Sequence, residues 1–236
     1  MSYDAIPTIR READAFLVAA RRGLEPTVPG CPEWTVRELT QHLGSVYRFH
    51  NRHVVRGVTE PPEEWAADLP DDADLLDWFD ASCNELLITL RSIQPDLPAW
   101  NWAAHTPQTA AFWPRRMALE TAVHRWDAES AHHDATGFDL DIAVDGIDEM
   151  LTVMGPADPP PDQPAGTAVV RASDAEREWA VRTGPGLFEV LAETPAAPDA
   201  VLEGTATALL LALWGREASI TTAGDPAIVG VLLESE

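Results

Sequence analysis

A proline-rich segment divides this chain of 236 residues into two parts with different apolar patterns. Five prolines fall within the ten residues from Gly155 to Pro164, a density that allows neither a continuing helix nor a central strand. Apolar spacing before this segment is mostly helical and predicts helices at residues 4–23, 35–55, 73–93, 114–133 and 140–154. We therefore predict a helical domain over residues 1–154, a linker over 155–165, and a small α+β domain over 166–236.

Beyond the proline-rich segment, short runs of β-branched and apolar residues replace the helical pattern. They predict strands near 167–172, 178–183, 200–203 and 219–222. An apolar helix is predicted at 206–214, and a last helix follows Asp225-Pro226. The two parts show no internal repeat.

The charged residues exclude several function classes. All sixteen basic residues are arginine, so the chain has no ε-amine for a Schiff base, for pyridoxal phosphate, or for a Walker-type phosphate loop. Thirty-nine acidic residues bring the net charge to −23, which argues against binding to duplex nucleic acid or to an anionic membrane surface. The expected partners are small molecules or other proteins, and the chain is expected to be a monomer or a homodimer.

The first residues of the chain and its two cysteines indicate its location and its thiol chemistry. The start of the chain lacks a secretory pattern, and no window approaches eighteen uninterrupted apolar residues, so we expect a cytoplasmic protein. Two cysteines, Cys31 and Cys83, are too few for a disulfide framework and are not spaced as a metal site. Both are expected to be free structural thiols.

The helix at 35–55 has a well-marked start. Thr35 followed by Glu38 forms a capping box, and Trp34 with Leu39 forms a hydrophobic staple. The register that follows places His42 on a stripe with core-facing residues; the stripe is Leu39, His42, Val46, Phe49 and His53. A buried imidazole needs partners for its ring nitrogens.

The helix at 114–133 carries a second ionisable pair. Pro114 suits the first turn, and Glu120 and His124 lie four residues apart on a small, mostly apolar face. An inward-facing glutamate needs a counter-charge, a metal or a proton.

Together His42, Glu120 and His124 form a mixed nitrogen and oxygen donor set that suits Zn²⁺ or a similar divalent ion. Three protein ligands leave a position open for water, a thiol or a substrate, as in catalytic sites. Spacing alone also fits a surface Glu–His pair beside a hydrogen-bonded core His42, and both interpretations stay open at this point.

The remaining histidines are weaker candidates. His53 lies ~16 Å along the helix axis from His42 and cannot share its metal. It can pair with His50, although no third donor is evident nearby. His132-His133 suits the frayed end of a helix, and His105 suits a loop hydrogen bond.

Aromatic and cationic residues add two further possibilities. Trp100, Trp102 and Trp113 either wall a pocket or plug the end of a helical bundle. An anionic substrate of so acidic a chain needs local guanidinium groups, for which the candidates are Arg115, Arg116 and Arg216. Surface ion pairing with the acidic excess is the alternative for these arginines.

Residues 31–44, CPEWTVRELTQHLG, and residues 117–127, MALETAVHRWD, resemble the paired signature of the mycothiol-dependent maleylpyruvate isomerase family. Residues 202–216, LEGTATALLLALWGR, with Gly224-Asp225-Pro226, resemble the C-terminal domain of that family. The resemblance covers nearly the whole chain, with its segments in the family's order on both sides of the proline-rich segment.

The resemblance implies a fold and a set of site residues. The fold is a DinB-like four-helix bundle followed by a sterol-carrier-like α/β domain, with a divalent metal that is usually zinc. The family's ligands carry over to His42, Glu120 and His124. Its catalytic arginine carries over to Arg216, which is expected to reach the metal pocket, and Asp127 matches a recurrent family residue that orients the site or pairs with an arginine.

The function implied is that of a metal-dependent enzyme that activates mycothiol, a low-molecular-weight thiol, for isomerisation of, or transfer to, a small electrophile carrying a carboxylate. Two alternatives remain: a non-catalytic small-molecule binding protein on the same scaffold, and a metal-dependent hydrolase that uses bound water. The ligand types suit zinc, nickel, cobalt or iron.

Overall fold

A computed structural model describes residues 3–62, 69–71, 74–103, 106–155 and 159–233. Within these residues the chain forms two compact units, divided between Gly137 and Phe138. Among the described helices, none is both long and apolar enough to cross a bilayer.

The described part of the first unit contains four α-helices, a short hairpin and one 3-10 turn at Ala110–Phe112. The helices are α1 (Ala5–Ala20), α2 (Val36–Val54), α3 (Leu75–Ser92) and α4 (Trp113–Ser130), and the hairpin pairs β1 (Thr27–Val28) with β2 (Cys31–Thr35). Helix α1 packs on α3 and α4, and α2 packs on the same two helices. Their shared core has no solvent exposure at the residues Ile9, Phe16, Leu39, Leu43, Tyr47 and Phe79. The hairpin was not predicted from the sequence.

Helix α2 begins at the capping box that the sequence predicts. The Thr35 amide donates to the Glu38 carboxylate at 2.9 Å, and the Thr35 hydroxyl also contacts that carboxylate. The predicted core-facing stripe is only partly correct, because Leu39 and Phe49 are buried whereas the other three members are half-buried. The core face lies about one position further round the helix, at Val36, Leu39, Thr40, Leu43, Tyr47 and His50. His42 therefore lies at the edge of the core.

The second unit contains a five-stranded sheet and three helices. The strands are β3 (Gly166–Ala172), β4 (Arg177–Gly184), β5 (Leu187–Leu191), β6 (Ala200–Gly204) and β7 (Thr221–Gly224), in the spatial order β5-β4-β3-β6-β7. Among the described strands of this sheet, β3 and β6 pair in parallel and the other neighbours pair antiparallel. The helices are α5 (Leu140–Glu149), α6 (Ala206–Leu213) and α7 (Pro226–Leu233).

Strand β5 is absent from the sequence prediction, which has no strand between those near 178–183 and 200–203. Gly186 has a φ of +66°, so the chain turns back there and continues as the antiparallel partner of β4. The mixed helical and sheet class predicted from the sequence is confirmed. The DinB-like and sterol-carrier-like descriptions stay predictions.

The division between the units differs from the predicted domain boundary. Helix α5, placed in the first domain by the sequence analysis, packs on α6 of the second unit. Its apolar pattern is helical like that of the preceding helices, so periodicity does not show which unit its buried face contacts. The described part of the proline-rich segment packs on the sheet, because Gln163 donates to the Leu187 carbonyl at 2.9 Å and the Thr183 hydroxyl donates to the Pro164 carbonyl at 2.8 Å.

Candidate metal centre

The two helices α2 and α4 bring His42, Glu120 and His124 together. Nε2 of His42 lies 3.3 Å from Oε1 of Glu120, and Nε2 of His124 lies 3.2 Å from the same oxygen. The two imidazole rings meet edge to face with their centroids 5.1 Å apart. Among the described residues, these three form the only group of at least three His, Cys, Asp or Glu donors able to share an ion. We call this group the triad.

The dimensions of the triad fit a divalent metal. Its three ligand atoms lie within 4.8 Å of one another. Tetrahedral zinc with bonds of about 2.0–2.1 Å places its ligand atoms roughly 3.3–3.4 Å apart. The distances of 3.3 and 3.2 Å from Glu120 to the imidazoles match that spacing. Two imidazole nitrogens and one carboxylate oxygen also match the donor types of catalytic zinc sites.

Two buried charged residues, Arg116 and Asp127, contact members of the triad. Arg116, only 2% exposed, places Nη2 at 2.6 Å from Oε2 of Glu120. Asp127, with no solvent exposure, places Oδ2 at 2.9 Å from Nδ1 of His124. The contact with Arg116 occupies Oε2 of Glu120, so Oε1 faces the imidazoles. The contact with Asp127 binds the Nδ1 hydrogen of His124, so Nε2 faces the other two members of the triad.

The electrostatic environment keeps both buried groups charged in the metal-free site. Burial opposes ionisation of Glu120, but the charges of His124 and Arg116 hold the pKa of its carboxyl well below the usual range. Burial also opposes protonation of His124, yet the Glu120 carboxylate and the Asp127 hydrogen bond raise its pKa to about 9. The triad is thus an ion-paired cluster whose imidazolium proton occupies the side on which a cation would bind.

The open side of the triad lies at His42. Its side chain is 35% exposed, against 12% for Glu120 and 6% for His124. Trp34 packs on the His42 ring with a centroid distance of 4.9 Å. The exposed edge of the triad therefore lies on the His42 and Trp34 side of the first unit.

Comparison with known proteins identifies the family. A family model described as the Mycothiol maleylpyruvate isomerase N-terminal domain matches residues 7–129, more than half of the chain. A second model, the MDMPI C-terminal domain, matches residues 141–229. The chain belongs to the mycothiol maleylpyruvate isomerase family. The resemblance noted in the sequence is thereby confirmed, and the family is one named for an enzyme activity.

Two solved structures share the fold of this family member. They are a crystal structure of the mycothiol-dependent maleylpyruvate isomerase and one of its histidine-to-alanine mutant. Each has a TM-score of 0.60 at 12% identity and covers 94% of this chain and 92% of its own. Likeness at this identity concerns the fold. A comparison with curated proteins found no match.

The arginines named from the sequence have different environments in this family member. Arg116 is a buried partner of Glu120 and not a surface ion pair. Arg115 is half-buried in the first turn of α4. Arg216 lies in the second unit, where Nη1 donates to the Trp214 carbonyl at 2.6 Å and the guanidinium lies 5.4 Å from the Trp214 ring centroid. Its assignment as the catalytic arginine stays a prediction.

The other described histidines do not join the triad. His50 is buried against Trp113, with ring centroids 3.9 Å apart, and His53 packs on Phe49 at 4.5 Å. His132 and His133 follow the end of α4 in a turn, as predicted. His105 lies outside the described residues.

Sequence reasoning missed the role of Arg116. The residue was named only as a possible substrate ligand or as a surface ion pair. Its separation of four from Glu120 was the available signal, because residues four apart on a helix are neighbours. Both cysteines are free thiols, as predicted.

Proposed function

We propose that this chain is a metal-dependent enzyme that activates mycothiol for isomerisation of, or transfer to, a small electrophile carrying a carboxylate. The observation that carries the proposal is the convergence of His42, Glu120 and His124, whose ligand atoms lie within 4.8 Å of one another. Membership of the mycothiol maleylpyruvate isomerase family supports the thiol and the isomerase chemistry.

In this proposal His42, Glu120 and His124 hold the metal, and zinc is the metal that the donor set suits best. A divalent cation held there would supply a Lewis acid that lowers the pKa of a thiol bound beside it. The chain's own residues prepare this chemistry. Asp127 keeps the Nδ1 hydrogen of His124 in place, so Nε2 is the nitrogen offered to the triad.

Arg116 contributes both orientation and charge. Its bond to Oε2 favours a single coordinating oxygen, Oε1, in Glu120. The formal charges of Arg116, Glu120 and Asp127 sum to −1 with both imidazoles neutral, so a divalent cation leaves the cluster at +1. A cluster with that charge favours an anionic fourth ligand, such as a thiolate, over a neutral one.

Arg216 remains our candidate for holding the substrate carboxylate, on the strength of the family resemblance alone. A guanidinium suits this role because it binds a carboxylate through two parallel hydrogen bonds. The assignment predicts that Arg216→Gln raises KM or lowers kcat for the carboxylate substrate while metal content is unchanged.

The experiment that tests the function is an isomerase assay of the metal-loaded protein with and without mycothiol. Maleylpyruvate is the first substrate to test, because the family is named for it. Turnover that requires both metal and thiol supports the proposal. Turnover of an ester or amide without any thiol would instead identify a hydrolase that uses bound water.

A further inference from the structure

The packing interface between helices α2 and α4, which we call the seam, continues beyond the triad. On α2, His42 and His50 are eight residues apart, and on α4, Glu120 and Trp113 are seven apart. These separations correspond to ~10–12 Å along a helix axis. His42 contacts Glu120 at one end of the seam, and His50 packs on Trp113 at the other. The two helices thus run antiparallel, and the same two faces build both ends.

The far end of the seam is an aromatic cluster, made of Phe49, His50, His53, Trp100, Trp102, Phe112 and Trp113. Its floor is Trp113, which is 1% exposed, and His50, which is 3% exposed. Trp102 contacts Trp113 with a centroid distance of 5.5 Å and Phe112 at 5.4 Å. Trp100, Trp102 and Phe112 are half-buried, so part of each ring is open to solvent.

A network of amide hydrogen bonds holds the loop that carries two of these tryptophans. Asn101, only 3% exposed, receives a bond from Gln108 Nε2 at its carbonyl and donates its own amide to Gln108 Oε1 at 2.8 Å. Its side chain also donates to the Pro107 carbonyl at 3.0 Å. Trp100 and Trp102 flank this anchored residue and are therefore presented in a pre-organised arrangement.

The floor of the aromatic cluster contains polar atoms without partners. Nε1 of Trp113 is buried and makes no hydrogen bond to any described residue. The buried ring nitrogens of His50 have no partner among the described residues besides the Val46 backbone. Buried polar groups of this kind are normally satisfied by an ordered water or a ligand atom. A hydroxyl group suits the position because it both accepts from an indole N–H and donates to an imidazole nitrogen.

We propose that the aromatic cluster binds the hydroxyl-rich rings of mycothiol while the thiol reaches the triad. The inference rests on the function proposed above. Mycothiol carries its cysteine on an amino sugar joined to an inositol ring, so its thiol and its rings are well separated. Such rings present C–H faces to aromatic side chains and hydroxyls to polar atoms. Recognition by neutral aromatic groups also suits a chain without lysine.

The test compares two thiols that differ only beyond the cysteine. Mycothiol and N-acetylcysteine are titrated by calorimetry into the metal-loaded protein, its Trp102→Ala variant, and a matched control, Trp126→Ala. Trp126 is half-buried on α4 and makes no ring contact with the aromatic cluster among the described residues. We expect Trp102→Ala to weaken mycothiol binding about ten-fold and to leave N-acetylcysteine within about two-fold. Trp126→Ala should leave both unchanged.

A second titration separates this inference from the proposed function. The thiol-free amino sugar–inositol compound is added while tryptophan fluorescence is followed, with and without metal. Saturable binding that Trp102→Ala weakens supports the aromatic subsite even if no thiol binds at the triad. The aromatic subsite is overturned if Trp102→Ala loses affinity equally for mycothiol and N-acetylcysteine, or if the thiol-free compound shows no saturable binding. Phe112→Ala replaces Trp102→Ala if the latter does not fold.

Discussion

Arg116 and Glu120 lie one helical turn apart on α4, and Nη2 of Arg116 is 2.6 Å from Oε2 of Glu120. Arg116 is 2% exposed, so this ion pair is shielded from water. Together with the charge of His124, the bond keeps the carboxylate ionised, and it directs Oε1 to the imidazoles of His42 and His124. A buried arginine thereby contributes to both the charge and the orientation of the Glu120 carboxylate.

We expect Arg116→Met to weaken zinc binding about ten-fold or more, because the carboxylate loses the partner that orients it. Arg116→Lys keeps the positive charge but lacks the planar guanidinium with its fixed hydrogen-bond donors, so it should give an intermediate loss of zinc affinity. Competition with a zinc chelator measures the affinities, and circular dichroism checks folding. Arg91→Met, which removes an exposed arginine from α3, is the control. Unchanged zinc affinity in folded Arg116→Met would show that the arginine does not position the ligand.

Much of the triad could be predicted from the sequence because each of its helices has a local marker. The Thr35–Glu38 capping box marks where α2 begins and so sets its register. The four-residue spacing of Glu120 and His124 places their side chains next to each other on α4. The exposure of His42 was predicted wrongly, because a stripe at spacings of three and four does not say where the edge of the core lies. The unit to which α5 belongs depends on contacts made later in the chain, which periodicity does not contain.

His50 should make the folded state less stable in acid. Burial is the main cause that lowers its pKa to about 3 from 6.5, so the folded chain does not take up the proton that the unfolded chain binds between these values. Stability is therefore lost as the pH falls below 6.5, and above it His50 adds no pH dependence. His50→Phe replaces the imidazole with a ring that does not titrate. Between about pH 7 and about pH 4.5 its melting temperature should fall by roughly 5 °C less than that of the wild type.

Thermal unfolding across this pH range measures the effect. His133→Asn removes an exposed histidine at a position of positive φ that asparagine tolerates, so its curve should parallel that of the wild type. If the curves of His50→Phe and the wild type were parallel instead, His50 would not be a neutral buried imidazole.

Gly44 of α2 lies against the Trp78 ring of α3. A Cβ atom at this position would overlap the six-membered ring of Trp78, whose face also lies 5.1 Å from the guanidinium of Arg48 on α2. Gly44→Ala should therefore lower the free energy of unfolding by about 1–3 kcal/mol, although alanine favours helices. Denaturant titration measures the change, with Ser45→Ala on the same helix as the control. A stabilised Gly44→Ala would mean that Trp78 has room to move.

The two cysteines should differ in reactivity. Burial, only partly offset by Arg10, raises the pKa of the Cys83 thiol to about 12, and Cys83 has no solvent exposure. Alkylation requires a thiolate, so Cys83 should react only when the protein unfolds, whereas half-buried Cys31 should react in the folded state. Mass spectrometry after a pulse of iodoacetamide with and without denaturant distinguishes them. Fast native labelling of Cys83 would contradict the packing of α3.

Metal content is the most direct test of the central claim that α2 and α4 build one divalent metal site. The wild type, His42→Ala and His124→Ala are loaded with zinc, freed of excess metal, and measured by elemental mass spectrometry. The account predicts about one zinc per chain in the wild type and a loss of most of it in both variants, which should stay folded by circular dichroism. Stoichiometric zinc in both variants, or none in the wild type, would contradict it.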